Sequence, residues 1–325
     1  MAGLVGIAFV VRATLDQAQE QVLPSVASVV VAGVLSLVAI MASARAWGVL
    51  FDESLTTHVQ QLRLRGTFYL SQLTKYLPVG GVVQATSQMA MAKSFGIPLK
   101  RVAVAFAVTI VGAVTAGATL SAGLALNTEL QWWLRLIALS GLLAPALLYR
   151  PLMAKVLHLA HQITDRIPDP DHLPSQRQIV AFYLWAIVTI GSLSAAYAAM
   201  MSSLNDENPF FVFCGFAFSW IVGFLVVPIP AGVGIREAVL VAVMPGVGAA
   251  QALSVSLALR LLAIAAELVA LGGNKLAERI RGAPEEAAET PPDARLQPGR
   301  DVGPESRRAS AGGQESNGHT LRRTD

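Results

Sequence analysis

Pro228-Ile229-Pro230-Ala231-Gly232-Val233-Gly234-Ile235-Arg236-Glu237 closes an apolar run that begins near Phe210, and it sets an arginine beside a glutamate where lipid would otherwise be met. A charged side chain near the bilayer centre costs roughly 2.5–3.5 kcal/mol on insertion scales, so Arg236 and Glu237 are expected to line a polar interior, not to face hydrocarbon. They are the first candidates for function.

The composition places the surrounding chain in a membrane. Of its 325 residues, 54% are hydrophobic and only 14% charged, and the mean hydropathy is +0.55. A soluble chain carries about 25% charged residues, and one buried core cannot explain the shortfall. The single cysteine, Cys214, lies inside an apolar run and can form no intrachain disulfide; it reads as a small buried hydrophobe. The net charge of +3 matters less than where the basic residues fall.

Apolar stretches near the 20 or so residues needed to cross lie at 26–50, 102–125, 132–149, 179–201, 210–227 and 249–271. The segment 51–101 carries Arg63, Arg65, Lys75, Lys93, Lys100 and Arg101 against Asp52 and Glu53, which assigns it to the cytoplasm. The loop 150–178 is also basic, whereas the connections at Glu129 and at Asp206-Glu207 hold acid and no base; Arg135 runs slightly against this alternation. If every run crossed, Lys275, Arg279 and Arg281 would end outside. One element must turn back. Residues 210–248 are therefore expected to form a re-entrant hairpin from the outer side, descending to Pro230 and returning through a short helix from about Ile235.

A second segment has the same core. Lys75-Tyr76-Leu77-Pro78-Val79-Gly80-Gly81 follows a basic loop, whereas Pro230-Ala231-Gly232 is approached from the acidic side, so the two hairpins enter from opposite faces. The reading is an all-α, polytopic helical membrane protein with two re-entrant hairpins in an inverted pseudo-repeat. Its parts are an N-terminal segment 1–24, a transmembrane domain 25–275 and a disordered cytoplasmic tail 276–325, rich in Pro, Gly, Ser, Glu and Arg. Such repeats build transporters whose site lies at the repeat interface, with half-helix N-termini aimed at an anionic group. Glycines there let the backbone approach closely, and free amides at a helix start attract phosphate or carboxylate. The alternative for each Pro-Gly segment is an ordinary interfacial loop.

Arg260 lies mid-way along the last apolar run with Glu267 two turns further on the same face. In one reading Arg260 meets Glu237 as a structural pair while Glu267 snorkels toward the cytoplasmic end. In the other, Arg260, Arg236 and Lys75 form a cationic path for a lipid phosphate, which arginine's planar fork binds with two hydrogen bonds, and the two glutamates hold them in place. The candidate substrate-binding set is Lys75, Tyr76, Pro78, Gly80, Gly81, Pro230, Gly232, Gly234, Arg236, Glu237, Arg260 and Glu267. Arg45 and Trp47 read as interfacial anchors. His158 and His161 share a helical face near Asp165, Asp169, Asp171 and His172, but an amphipathic helix on the bilayer surface explains that segment, and no metal or other cofactor is expected. Gly232-Val233-Gly234 is no dinucleotide fingerprint, since Glu237 stands where the third glycine belongs, and neither a Walker loop nor Gly-x-Ser-x-Gly is found.

Arg45-Ala46-Trp47, Lys75-Tyr76-Leu77-Pro78, the Pro228 to Glu237 motif and Arg260-Leu261-Leu262 together give a chain that resembles the lysylphosphatidylglycerol synthase transmembrane region, the flippase-like membrane proteins of uncharacterised protein family 0104, over about residues 25 to 275. The second hairpin motif is the specific one. The resemblance implies movement of a phospholipid, or another lipid with an anionic head group, between leaflets of the plasma membrane. Relatives follow Tyr-Leu-Pro directly with glycine, where this chain has Val79, and relatives have in full a helix of which Leu4 to Val11 would be the end. The family's soluble synthase domain has no counterpart in the tail, so aminoacyl transfer by this chain alone is not expected. The runner-up function is a membrane-embedded enzyme or accessory subunit acting on a lipid-linked sugar, and a third reading is a scaffold with no transported ligand. Partners implied are the lipid itself and a second copy or a separate lipid-modifying enzyme; nucleic acid is not among them.

Overall fold

The computed structural model describes residues 24–51, 58–74, 84, 86–88, 90, 95–163, 172–225, 234–244 and 246–289. Every regular element among them is helical. In chain order the α-helices are α1 Val26–Val49, α2 His58–Thr74, α3 Leu99–Ser121, α4 Trp132–Ser140, α5 Arg150–Ile163, α6 Gln176–Met201, α7 Pro209–Leu225, α8 Ile235–Val243 and α9 Ala249–Glu289. Among the described residues four stretches, Val26–Val49, Leu99–Leu126, Gln176–Met201 and Ala249–Ile280, are long and apolar enough to cross a membrane. The chain divides into two units, Met1–Arg279 and Ile280–Asp325.

The order of elements recurs. In the first half a long helix (α1) is followed by the 17-residue α2, helical residues 86–88 and the long α3; in the second, α6 is followed by the 17-residue α7, the nine-residue α8 and the long α9. Equivalent elements begin about 150 residues apart, and the two leading helices run antiparallel, as halves related by an axis in the membrane plane would. At one end of that pair the Ser25 amide donates to Ser203 Oγ at 3.3 Å, and at the other Gln178 Nε2 donates to the Val49 carbonyl at 3.2 Å. Small buried residues let the backbones approach: Ala32, Ser36 and Ala39 on α1, Ala186, Ser194 and Ala198 on α6.

Helix α7 folds back on α8. A Cβ on Gly223 would lie 2.5 Å from Arg236 Cγ, and one on Gly215 would lie 3.1 Å from Met244 Cγ. The paired positions advance in opposite directions, so the two helices are antiparallel. Beyond α8 the chain returns to the start of α7, where a Cβ on Gly246 would overlap the Glu207 carboxylate. The short helix begins at Ile235, where the sequence places it.

The halves are joined through α4, a 3-10 helix Gly141–Leu148, and α5. Pro145 has no amide hydrogen to give an α-helix, and the longer rise of the tighter-wound 3-10 turn stretches the 17 residues of Trp132–Leu148 to about 30 Å, close to the hydrocarbon thickness. Exposed Trp132 and Tyr149 stand at its ends, where amphipathic rings favour the membrane interfaces. Arg135, the residue that runs against the charge alternation, donates from Nε to the Ala125 carbonyl at 2.9 Å and so satisfies the end of the preceding helix. Trp47 is no interfacial anchor: it is 3% exposed and packs edge-on against Phe51, with centroids 5.0 Å apart, and parallel to Phe68 at 6.3 Å. Cys214 is buried, as its place in the run implies.

A close backbone approach lies between α3 and the 3-10 helix, where a Cβ on Gly141 would sit 2.0 Å from the Ala118 carbonyl oxygen. A backbone oxygen cannot swing aside as a side chain can. Gly141→Ala should therefore lower the stability of the detergent-purified protein by about 2 kcal/mol, a clear fall in its melting temperature. Gly272→Ala, where a Cβ would meet nothing within 4 Å, should leave it unchanged or raise it by up to about 1 kcal/mol through helix propensity.

Candidate functional site

Gly234 opens α8 with φ at +86°, a left-handed conformation that a Cβ disfavours. Three residues on, Glu237 turns back and accepts the Gly234 amide hydrogen on Oε2 at 2.8 Å, satisfying one of the donors that a helix start leaves free. Its other oxygen, Oε1, accepts from Arg260 Nη2 on α9 at 3.1 Å. Glu237 is 5% exposed, whereas the Arg260 side chain keeps 23% of its surface open. One carboxylate thus ties a half-length helix to the last long helix. Arg260 lies about 17 Å along α9, near mid-thickness if α9 starts at a bilayer face.

Around this pair stands polar structure that apolar periodicity does not reveal. Tyr197 on α6 is fully buried; its hydroxyl donates to the Ala252 carbonyl on α9 at 3.2 Å, and its ring stacks on Phe216 of α7 at 4.7 Å. A lone phenol amid alanines in an apolar run was the available signal, since a buried tyrosine hydroxyl usually finds a partner. Among the described residues the first half holds a buried neutral pair, in which Gln88 Nε2 donates to Ser71 Oγ at 3.1 Å.

Adjacent helix positions diverge by about 100°, and Arg236 therefore serves a different neighbour from Glu237. Its guanidinium carbon sits 5.6 Å from the centre of the Trp220 ring, which is itself stacked on Phe224 at 5.1 Å. The structure brings Glu237, Arg260 and Gly234 together and directs Arg236 to α7. Glu267 is 2% exposed, so it does not snorkel; one turn further along α9 Leu271 packs against the main core. Lys75, Tyr76, Pro78, Gly80, Gly81, Pro230 and Gly232 lie outside the described residues, as do Asp165, Asp169 and Asp171. Among the described residues no group of three or more His, Cys, Asp or Glu side chains is placed to hold a metal ion.

Removing one partner of a buried ion pair leaves the other charge uncompensated, at a cost of about 3–5 kcal/mol. Glu237→Ala should cost the most, because it also uncaps α8; Arg260→Ala should cost less, since its side chain is partly open. The double variant should be less destabilised than the two single losses combined, by about 1 kcal/mol or more in a thermodynamic cycle. Simple additivity would show that the two side chains do not interact.

With this geometry in view, comparison with known families shows that the model of the lysylphosphatidylglycerol synthase TM region matches residues 1–270. Comparison with curated proteins gives none.

Proposed function

The chain belongs to the lysylphosphatidylglycerol synthase transmembrane-region family, whose members are lipid-handling membrane proteins, and from that premise we propose that it moves a phospholipid or other anionic-head-group lipid between membrane leaflets. The observation that carries this reading is the Glu237–Arg260 pair, set at the start of a half-length helix beside a span long enough to cross the bilayer. A lipid phosphate crossing the hydrocarbon needs cationic and backbone donors at mid-depth, and in this reading the Arg260 guanidinium and the amides at the start of α8 supply them.

In this reading α7 and α8 form the re-entrant hairpin. At about 25 and 14 Å they are short for separate crossings, and they turn back on one another. The basic residues of 51–101 and Lys275, Arg279 and Arg281 then lie in the cytoplasm, with the C-terminal tail, in a plasma membrane. Lys75 and the Pro78 and Pro230 hairpin tips supply the remaining contacts. The chain acts as a transporter, not an enzyme, and translocation runs downhill or is coupled to an ion, with Glu237 and Glu267 as the groups to test.

Leaflet exchange of fluorescent phosphatidylglycerol in proteoliposomes, read by dithionite quenching, tests the reading. Wild type should lose fluorescence beyond the outer-leaflet fraction, and a folded Arg260→Gln variant should lose that excess. Exchange no faster than in protein-free liposomes would refute passive transport of this lipid. A covalently altered lipid would favour the enzyme, and full activity in the variant would remove the site.

A further inference from the structure

Phosphate binds proteins through two recurrent kinds of donor, backbone amides at a helix start and the planar fork of arginine. Both kinds converge on Glu237. Its Oε2 takes the Gly234 amide at 2.8 Å and its Oε1 takes Arg260 Nη2 at 3.1 Å. We propose that this carboxylate is a resident stand-in for a phosphate group, and that a phosphate-bearing ligand binds by displacing it from both donors. The proposal rests on the reading of this cluster as the head-group site, and adds that the site holds its own anion until the ligand arrives.

Three observations support displacement over simple addition. Glu237 is 5% exposed and occupies the space between the donors, so a second anion cannot share them without repulsion. The donors themselves can be reached: Gly234 is exposed, and a Cβ there would meet nothing within 4 Å. Arg260 makes this one hydrogen bond among the described residues and its side chain is 23% exposed, leaving N–H groups for the two-point contact that phosphate takes and a single carboxylate oxygen does not. A displaced Glu237 leaves α8 uncapped until phosphate takes over the amide, so ligand exchange is coupled to the short helix that carries the site.

A lipid head group and free phosphate share this chemistry, and the test separates them. The full-length protein in detergent is titrated calorimetrically with inorganic phosphate and, separately, with dihexanoyl-phosphatidylglycerol, wild type beside Glu237→Gln. Removing the competing charge should tighten binding about ten-fold or more. Tightening with the lipid, alone or with phosphate too, supports displacement by a head group; tightening with phosphate alone supports displacement by the free ion. Equal, weaker or no binding in both arms overturns the proposal. Should the variant not fold, wild type is labelled with dicyclohexylcarbodiimide and Glu237 followed by peptide mass spectrometry. Labelling should rise at saturating dihexanoyl-phosphatidylglycerol, and unchanged or reduced labelling overturns the proposal. Leaflet exchange by the same wild-type preparation keeps the two ideas apart: exchange without tightening removes displacement alone, and tightening without exchange removes transport alone.

Discussion

A carboxylate buried at the start of a nine-residue helix must satisfy two donors on two elements, and the arrangement around it follows from that. Glu237 holds the Gly234 amide within its own helix and the Arg260 guanidinium on α9. Neither half of the contact stands well alone. A buried anion without its cation costs several kcal/mol, and a helix start without a cap leaves amides that hydrocarbon cannot satisfy. The same geometry makes the site chemically plastic, because its donors are ones that phosphate also uses.

The framework that brings these residues together is built from paired helices. Long α1 and α6 lie antiparallel with small residues buried on both, α7 and α8 fold on one another, and Tyr197 bonds α6 to α9 directly above Phe216 of α7. Among the described residues the two halves share an element order, with a buried amide and hydroxyl, Gln88 and Ser71, bonded in the first and an ion pair in the second.

Apolar run length made the long helices legible, since a crossing takes a predominantly apolar stretch near 20 residues, and the α8 start at Ile235 followed from a Pro-Gly break and an Arg-Glu pair. The partner of each charge was less legible. Periodicity gives the face a residue occupies and not the neighbour it meets, which is why Arg260 with Glu237 stood only as one of two readings. Glu267 illustrates the limit: a position two turns from Arg260 allowed snorkelling, but packing around α9 buries it to 2%. Trp47 likewise has an interfacial residue type and is held in the core by Phe51, one turn on, and by Phe68 of α2, a contact that local pattern does not give. Tyr197, Ser71 and Gln88 are single polar groups in apolar or mixed surroundings; Ser71 also bonds the Phe68 carbonyl in its own helix, but the Gln88–Ser71 and Tyr197–Ala252 bonds depend on tertiary contacts.

The central claim is that the chain enters and leaves the α7–α8 hairpin on one side of the membrane, which sets Glu237 and Arg260 inside it. Single cysteines at Asp206, Gly248 and Arg279, placed in a Cys214→Ser background and treated with a membrane-impermeant maleimide in intact cells, test this directly. Asp206→Cys and Gly248→Cys should both label from outside, and Arg279→Cys only after permeabilisation. Labelling of positions 206 and 248 from opposite sides would mean that the segment crosses, and would contradict the account.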